Sequence, residues 1–192
     1  RYDNDRFLTA LFAPADRRED LLLLYAANLE IAKSREAVSE PLLGRIRLQW
    51  WREAIDELYD GRPRKHEVLQ PLAVTVRRRG LSRRHFDALI EAREADMEEQ
   101  APADAAALET YAEATSAPLI RLALEALGCG SGTEAAATHA GIAYALVGLL
   151  RATAHLAAQR RRALPDALLA MHGVREHDLF ELRSSAALSA AT

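Results

Sequence analysis

The chain has 192 residues, of which 49% are hydrophobic and 28% charged, and its formal net charge is −3 at pH 7. This length predicts one domain that buries about 70% of its unfolded surface, and the near-neutral charge gives no indication of a nucleic-acid partner. The single cysteine, Cys129, excludes an intramolecular disulfide and is typical of a reducing compartment.

Helix signals follow one another from the start of the chain. The run DRFLTALF before Pro14 predicts a short helix, and apolar residues from Leu21 to Ile31 recur at the spacing of a helix face. Pro41 suits the first turn of the next helix, which we expect to end near Gly61. The predicted apolar stripe of that helix comprises Leu48, Trp51, Ile55 and Leu58.

The same signals continue toward the C-terminus. Residues 68–76 predict a helix that ends at Gly80, Ser82 suits the N-cap of the next helix, and Asp104 suits the N-cap of a long one. Thr133 begins a further helix. The inward positions predicted for that helix are Ile142, Leu146, Leu149 and Leu150.

A last short helix is predicted near Asp166 to His172. No segment alternates in the way of a strand, so the predicted fold class is all-α. The longest uninterrupted apolar run, Ala140 to Leu150, is about half of what a bilayer-spanning helix requires.

Two segments carry a family resemblance. The run LYAANLEIAKSRE, followed by a helix containing WWREAIDELYDG, resembles the start of the squalene/phytoene synthase family, whose enzymes join two prenyl diphosphates head to head. Active members read roughly LYAFCRxxDDxxD there, and these aspartates hold magnesium against diphosphate. The corresponding positions in this chain are Ala32, Lys33 and Glu36, so one carboxylate of three remains.

The second segment, GIAYALVGLLRATAHLAAQRRRALP, resembles the family motif GIALQLTNILRDVGEDxxRGRVYLP. Arg151 matches that pattern, as do Leu164 and Pro165. The two aspartates of the motif are replaced by Ala152 and Leu156. The glutamate between them is replaced by His155, so no carboxylate of the second magnesium motif remains.

The resemblance implies a single isoprenoid-synthase-like helical bundle, residues 1–192, around a central cavity. Family members usually continue with further helices, so we expect this bundle to be truncated at its C-terminus. The small residues Ala145 and Gly148, which we place at inward positions, are expected to widen the cavity.

The missing carboxylates bear directly on catalysis. Ionising an allylic diphosphate requires concentrated positive charge, which magnesium supplies, and magnesium prefers hard oxygen ligands. We therefore predict no catalytic residue, no metal site and no cofactor. The alternative is an active squalene- or phytoene-type synthase that binds Mg²⁺ through altered ligands.

Several side chains remain candidates for a pocket or an anion site. One hypothesis is that Lys33 and Arg35 bind an anion directly; the alternative is pairing with carboxylates such as Glu30 on the helix surface. Trp50 and Trp51 either stack on a ligand or pack in the core. The candidate pocket or anion-binding residues are Tyr25, Asn28, Lys33, Arg35, Glu36, Tyr111 and Arg151.

Charged clusters lie outside these motifs. The acidic residues between Glu91 and Glu99 are typical of a solvated helix face. The arginines at 77–79, 83–84 and 160–162 either contact anionic lipid headgroups or solubilise helix ends. Aromatic residues are not interleaved with these arginines, which argues against nucleic-acid binding.

The phrase REAVSEPLLGRIRLQWWRE resembles most closely a non-catalytic branch of the family that helps to assemble NADH dehydrogenase, respiratory complex I. This resemblance implies a protein that acts by binding a partner in respiratory complex assembly, a prenyl or lipid ligand, or both, with peripheral membrane contact. The Ala- and Arg-rich composition favours a bacterial source, so we expect a cytoplasmic protein, peripheral to the inner membrane. A further alternative is a helical scaffold with neither activity.

Overall fold

The computed structural model describes residues 3–35, 40–98, 100–129, 132–181 and 188–189. All regular secondary structure in these ranges is helical, in agreement with the predicted all-α class. The helices are α1 (Asn4–Ala10), α2 (Ala15–Ala32), α3 (Pro41–Tyr59), α4 (Leu69–Arg79), α5 (Arg83–Ala92), a 3-10 turn (Arg93–Met97), α6 (Ala105–Leu127), α7 (Glu134–Ala158), α8 (Asp166–Met171) and α9 (Glu176–Phe180).

Most of the predicted helix ends are confirmed. Pro41 opens α3, and Gly80 ends α4 with a φ of +66°, a left-handed conformation that glycine adopts without strain. The Asp104 carboxylate accepts a 2.8 Å hydrogen bond from the Ala107 N–H and caps α6. Ser82 is the N-cap residue of α5, as predicted, although its hydroxyl donates to Glu125 on α6 at 2.6 Å and makes no capping hydrogen bond.

Helices α2 to α6 enclose the main core. The predicted stripe on α3 is buried in full, with Trp51 2% exposed. Trp50 packs against this core, its ring 5.2 Å from that of Trp51, with the Arg64 guanidinium 5.3 Å from its ring centre. Packing is therefore the role of both tryptophans, and neither lines the cavity described below.

Helix α7 packs along α6 through small residues. A Cβ atom at Gly141 would stand 2.6 Å from the Ala117 Cα, so the two backbones approach closely at this point. The buried positions of α7 are Ala137, Gly141, Thr153 and Ala157. The inward face predicted from Ile142, Leu146, Leu149 and Leu150 is confirmed only in part: all four are half-buried, Leu149 lines the cavity described below, and Leu150 packs against a second buried cluster. Close contact between helices selects the small face and turns the larger side chains to its flanks.

Helix α7 is also the one described helix with the length and apolar composition needed to cross a membrane. The apolar run within it is short, but isolated polar residues such as Tyr144 do not remove the apolar character of a 25-residue helix. Length and composition alone are weak evidence for a membrane span, because core helices of soluble proteins share both. In this fold α7 packs on α6 and is tied to α1, where Asp3 accepts a 2.6 Å hydrogen bond from the Tyr144 hydroxyl.

Candidate functional site

A cavity of about 360 Å³ lies between the 3-10 turn, the first turns of α6, the C-terminal half of α7 and the segment that follows α7. This volume falls within the range of small-molecule sites. One part of the wall is apolar and another carries charged and hydroxyl groups. The apolar part includes Leu108, Leu149 and Leu156. The polar part includes Asp96, Tyr111 and Arg161.

The first polar wall is a hydrogen-bonded group built on the carboxylate of Asp96. The Tyr111 hydroxyl donates to one carboxylate oxygen at 2.5 Å, and the Arg93 guanidinium donates to the other at 3.2 Å. Burial raises the pKa of Tyr111, and the neighbouring Asp96 charge raises it further. Tyr111 is therefore a neutral donor at physiological pH, with its one proton committed to Asp96.

The second polar wall follows the end of α7. The chain leaves that helix at Arg160, whose φ of +57° is uncommon for a residue with a side chain. The turn places Arg161 and Arg162 on the cavity wall. Arg162 forms an ion pair with Asp166, whereas the Arg161 side chain forms no hydrogen bond or ion pair with the residues described.

The apolar wall includes two leucines from one face of α7. Leu149 and Leu156 are seven positions apart, which is about two helical turns and places them on the same side. Leu156 occupies the position where the family motif has its second aspartate, and Ala152 occupies that of the first. Both aspartate positions of the second motif therefore carry hydrocarbon side chains, which cannot bind magnesium.

Two further acidic residues near the cavity form ion pairs with α3. Glu94 lies 2.7 Å from Arg52, and Glu98 lies 2.7 Å from Arg45. The predicted solvated face is confirmed for Glu98, whose side chain is 65% exposed, and is wrong for Asp96, whose side chain is 13% exposed. Across the described ranges, no three His, Cys, Asp or Glu side chains are grouped closely enough to hold a metal ion.

Of the predicted pocket residues, Tyr111 lines this cavity and Arg151 does not. Arg151 lines a separate open groove of about 380 Å³ between α1 and α7 and pairs with Asp5. Gly148, expected to face the central cavity, is exposed in this second groove, and Ala145 is half-buried and lines neither space. The prediction that these two positions widen the central cavity is therefore wrong.

The remaining predicted residues lie on or beyond α2, away from the cavity lining. Tyr25 is half-buried with the Arg6 guanidinium 5.7 Å from its ring centre, and burial raises its pKa. Asn28 is 8% exposed, and its side-chain oxygen has no hydrogen-bond partner among the residues described. Lys33 lies 3.2 Å from Glu30, the surface pairing offered as the alternative to anion binding. Arg35 is half-buried, and Glu36 lies outside the described residues.

Sequence reasoning missed the role of Arg161 in this cavity. The run Arg160–Arg162 was interpreted as a surface cluster, and composition does not distinguish its members. The left-handed turn at Arg160 directs the side chains of Arg160 and Arg161 to different surroundings. Arg160 extends over the Phe180 ring at 5.5 Å, while Arg161 lines the cavity.

The squalene/phytoene synthase model matches residues 1–192. The chain belongs to the squalene/phytoene synthase family. It is 35% identical over 177 residues to the complex I assembly factor 6 of Bos taurus and 33% identical to that of Homo sapiens, in each case over 92% of this chain. A homologue named in the same way from Dictyostelium discoideum is 26% identical over 182 residues. The chain spans about half the length of these curated relatives.

Solved structures confirm the predicted isoprenoid-synthase fold. Squalene synthase HpnC from Alicyclobacillus acidocaldarius superposes with a TM-score of 0.83 at 18% identity, covering 98% of this chain and 71% of that one. A dehydrosqualene synthase in complex with ligand superposes with a TM-score of 0.81 at 16% identity, covering 99% and 66%. At these identities the likeness concerns the fold.

Proposed function

We propose that this protein is a non-catalytic member of the squalene/phytoene synthase family that acts by binding and assists the assembly of NADH dehydrogenase. The proposal is supported by the relatives named complex I assembly factor 6, which align with 92% of the chain at 33–35% identity. Since the chain spans about half of those relatives, the proposal concerns the full-length protein that contains this domain.

The proposal that the protein is non-catalytic rests on the side chains found at the family's magnesium positions. Ala32, Ala152 and Leu156 provide no oxygen donor, and Lys33 adds a cation that is paired with Glu30. Departure of a diphosphate requires several positive charges close to its oxygens. The Asp96 carboxylate does not substitute for the lost ligands, because it is a single carboxylate whose charge is already paired with Arg93 at 3.2 Å.

We infer that the protein works in the bacterial cytoplasm at the surface of the inner membrane, bound to a protein partner of the respiratory complex. Arg77 and Arg160 are exposed, and each contributes about 1 kcal/mol near an anionic surface. Other arginines of these clusters are held by carboxylates, as Arg79 is by Asp20. A high-salt wash should therefore release the protein from isolated membranes, and release by detergent alone would contradict peripheral binding.

The assembly role is tested by deleting the full-length gene from the organism that carries it. Native gels of the deletion strain should show less intact NADH dehydrogenase, with succinate dehydrogenase unchanged as the control. Reintroducing the gene should restore the complex. A normal level of NADH dehydrogenase in the deletion strain contradicts the proposal, and loss of a squalene- or phytoene-type lipid would favour an active synthase instead.

A further inference from the structure

We propose that the cavity beside Asp96 binds a singly charged amphiphile, a long-chain carboxylate, through Arg161 at the head group and the α6–α7 leucines along the tail. No divalent cation takes part. This inference deepens the proposed function by naming the ligand class of its cavity, and it rests on that proposal only for the absence of catalysis.

Among the residues that the structure describes, the charged groups around the cavity leave one cation, Arg161, without an acidic partner. Asp96 is matched by Arg93, and Glu98 is matched by Arg45. Arg162 is matched by Asp166 and lies 3.7 Å from Glu176. The Arg161 side chain has no such partner within the described part of the chain, so the lining has one positive charge available for a ligand.

The Arg161 guanidinium suits a carboxylate in both charge and shape. Its planar set of donors matches the two oxygens of one carboxylate in a bidentate pair. A diphosphate carries several negative charges, and one arginine leaves most of them uncompensated in a partly enclosed site. The negative charge of Asp96 is already paired with Arg93 at 3.2 Å, which weakens its attraction for Arg161.

The rest of the lining suits a hydrocarbon tail. Leu149 and Leu156 from α7 meet Leu108 from α6, with Ala107 and Ala163 beside them. An apolar wall of this kind gains free energy by removing hydrocarbon from water. A cavity with one cation and one hydrocarbon wall selects a ligand with one anionic end and one apolar end.

The binding test uses dodecanoate, kept below its micelle concentration, with dodecanol as the uncharged probe. Calorimetry should show saturable binding of one dodecanoate per wild-type protein. Arg161→Gln should weaken dodecanoate binding about tenfold or more, because a charge-assisted hydrogen bond is lost, and should leave dodecanol binding unchanged. Arg161→Lys should give an intermediate affinity.

Two further variants locate the tail and control for general charge. Leu156→Asn should weaken dodecanoate and dodecanol alike, because both tails meet the same wall. Arg77→Gln removes an exposed arginine elsewhere on the surface and should leave binding unchanged. Thermal unfolding should place Arg161→Gln close to wild type, because the described residues give this side chain no hydrogen bond to lose.

The inference is overturned if dodecanoate shows no saturable binding, if Arg161→Gln binds it as tightly as wild type, or if farnesyl diphosphate with Mg²⁺ binds more tightly than dodecanoate. These outcomes are separate from the assembly test. A protein that restores NADH dehydrogenase but does not bind dodecanoate refutes the ligand and leaves the assembly role standing.

Discussion

At the scale of single residues, the most consequential polar contact outside the cavity is the buried carboxylate of Asp20. This α2 residue is fully buried and accepts hydrogen bonds from Thr75 at 2.9 Å and Arg79 at 2.7 Å, with a further ion pair to Arg78. A buried carboxylate is tolerated only when its charge and lone pairs are matched. The group therefore fixes α4 against α2.

Replacing Asp20 with Asn should lower the free energy of unfolding by on the order of 3 kcal/mol, because two arginines lose their buried counter-charge. Urea denaturation measures this loss. The matched control is Asp16→Asn, whose side chain is 68% exposed and lies 3.6 Å from Arg79. We expect a loss below about 1 kcal/mol for the control, and equal losses for the two variants would refute the account.

The same carboxylate makes stability depend on pH. Burial alone raises the pKa of Asp20, but hydrogen bonds from Arg78, Arg79 and Thr75 outweigh it and hold the pKa below its ordinary value of 3.8. Its stabilising contribution is therefore complete above that value and is lost as the pH falls through the lower, folded-state pKa. Urea midpoints measured from neutral pH downward should fall less steeply in Asp20→Asn than in wild type. Parallel profiles would contradict this assignment.

The sequence predicted some of the residues that line the cavity and missed others. Tyr111 was among the candidate pocket residues, and it lies on the cavity wall. Arg161 was not identified, because its position depends on a backbone turn at Arg160 that no periodicity announces. Arg151 matched the family motif but lies on the opposite flank of α7, in the groove shared with α1.

At the scale of helices, local signals predicted the boundaries well and the buried faces less evenly. The α3 stripe was predicted in full because its large apolar residues repeat at helical spacing and form a single apolar face. On α7 most residues are apolar, so hydropathy does not identify the buried side. Close approach of the α6 and α7 backbones at Gly141 identifies it instead.

Substitutions at two glycines of α7, one at the contact with α6 and one away from it, test this packing. Gly141→Ala should destabilise the fold by about 1–3 kcal/mol, because the added methyl meets Ala117 backbone atoms at 2.6–2.7 Å. Gly148→Ala adds a methyl that meets no atom of the described residues within 4 Å and should stabilise the helix by up to about 1 kcal/mol. Denaturant unfolding of both variants gives the comparison. Opposite signs are expected, and a stabilising Gly141→Ala would contradict the proposed α6–α7 contact.

At the scale of the whole molecule, the family fold is retained, while Glu36 alone keeps a carboxylate at the positions of the family's magnesium motifs. The class and family fold were predictable, because helical periodicity and motif spacing extend along the chain. The cavity was predictable only in general terms, since its charge balance depends on pairs such as Arg45 with Glu98, 53 positions apart. Among the described residues, Arg161 is the one lining cation without an acidic partner, and its place opposite a leucine wall supports the proposed binding function.

The most direct test of this account is product analysis with the purified protein. Farnesyl or geranylgeranyl diphosphate, Mg²⁺ and NADPH are incubated with it, beside an active dehydrosqualene synthase as the positive control. We predict that the control forms a condensed product and that this protein forms none at any magnesium concentration tested. Magnesium-dependent formation of squalene, dehydrosqualene or phytoene by this protein would contradict the non-catalytic account.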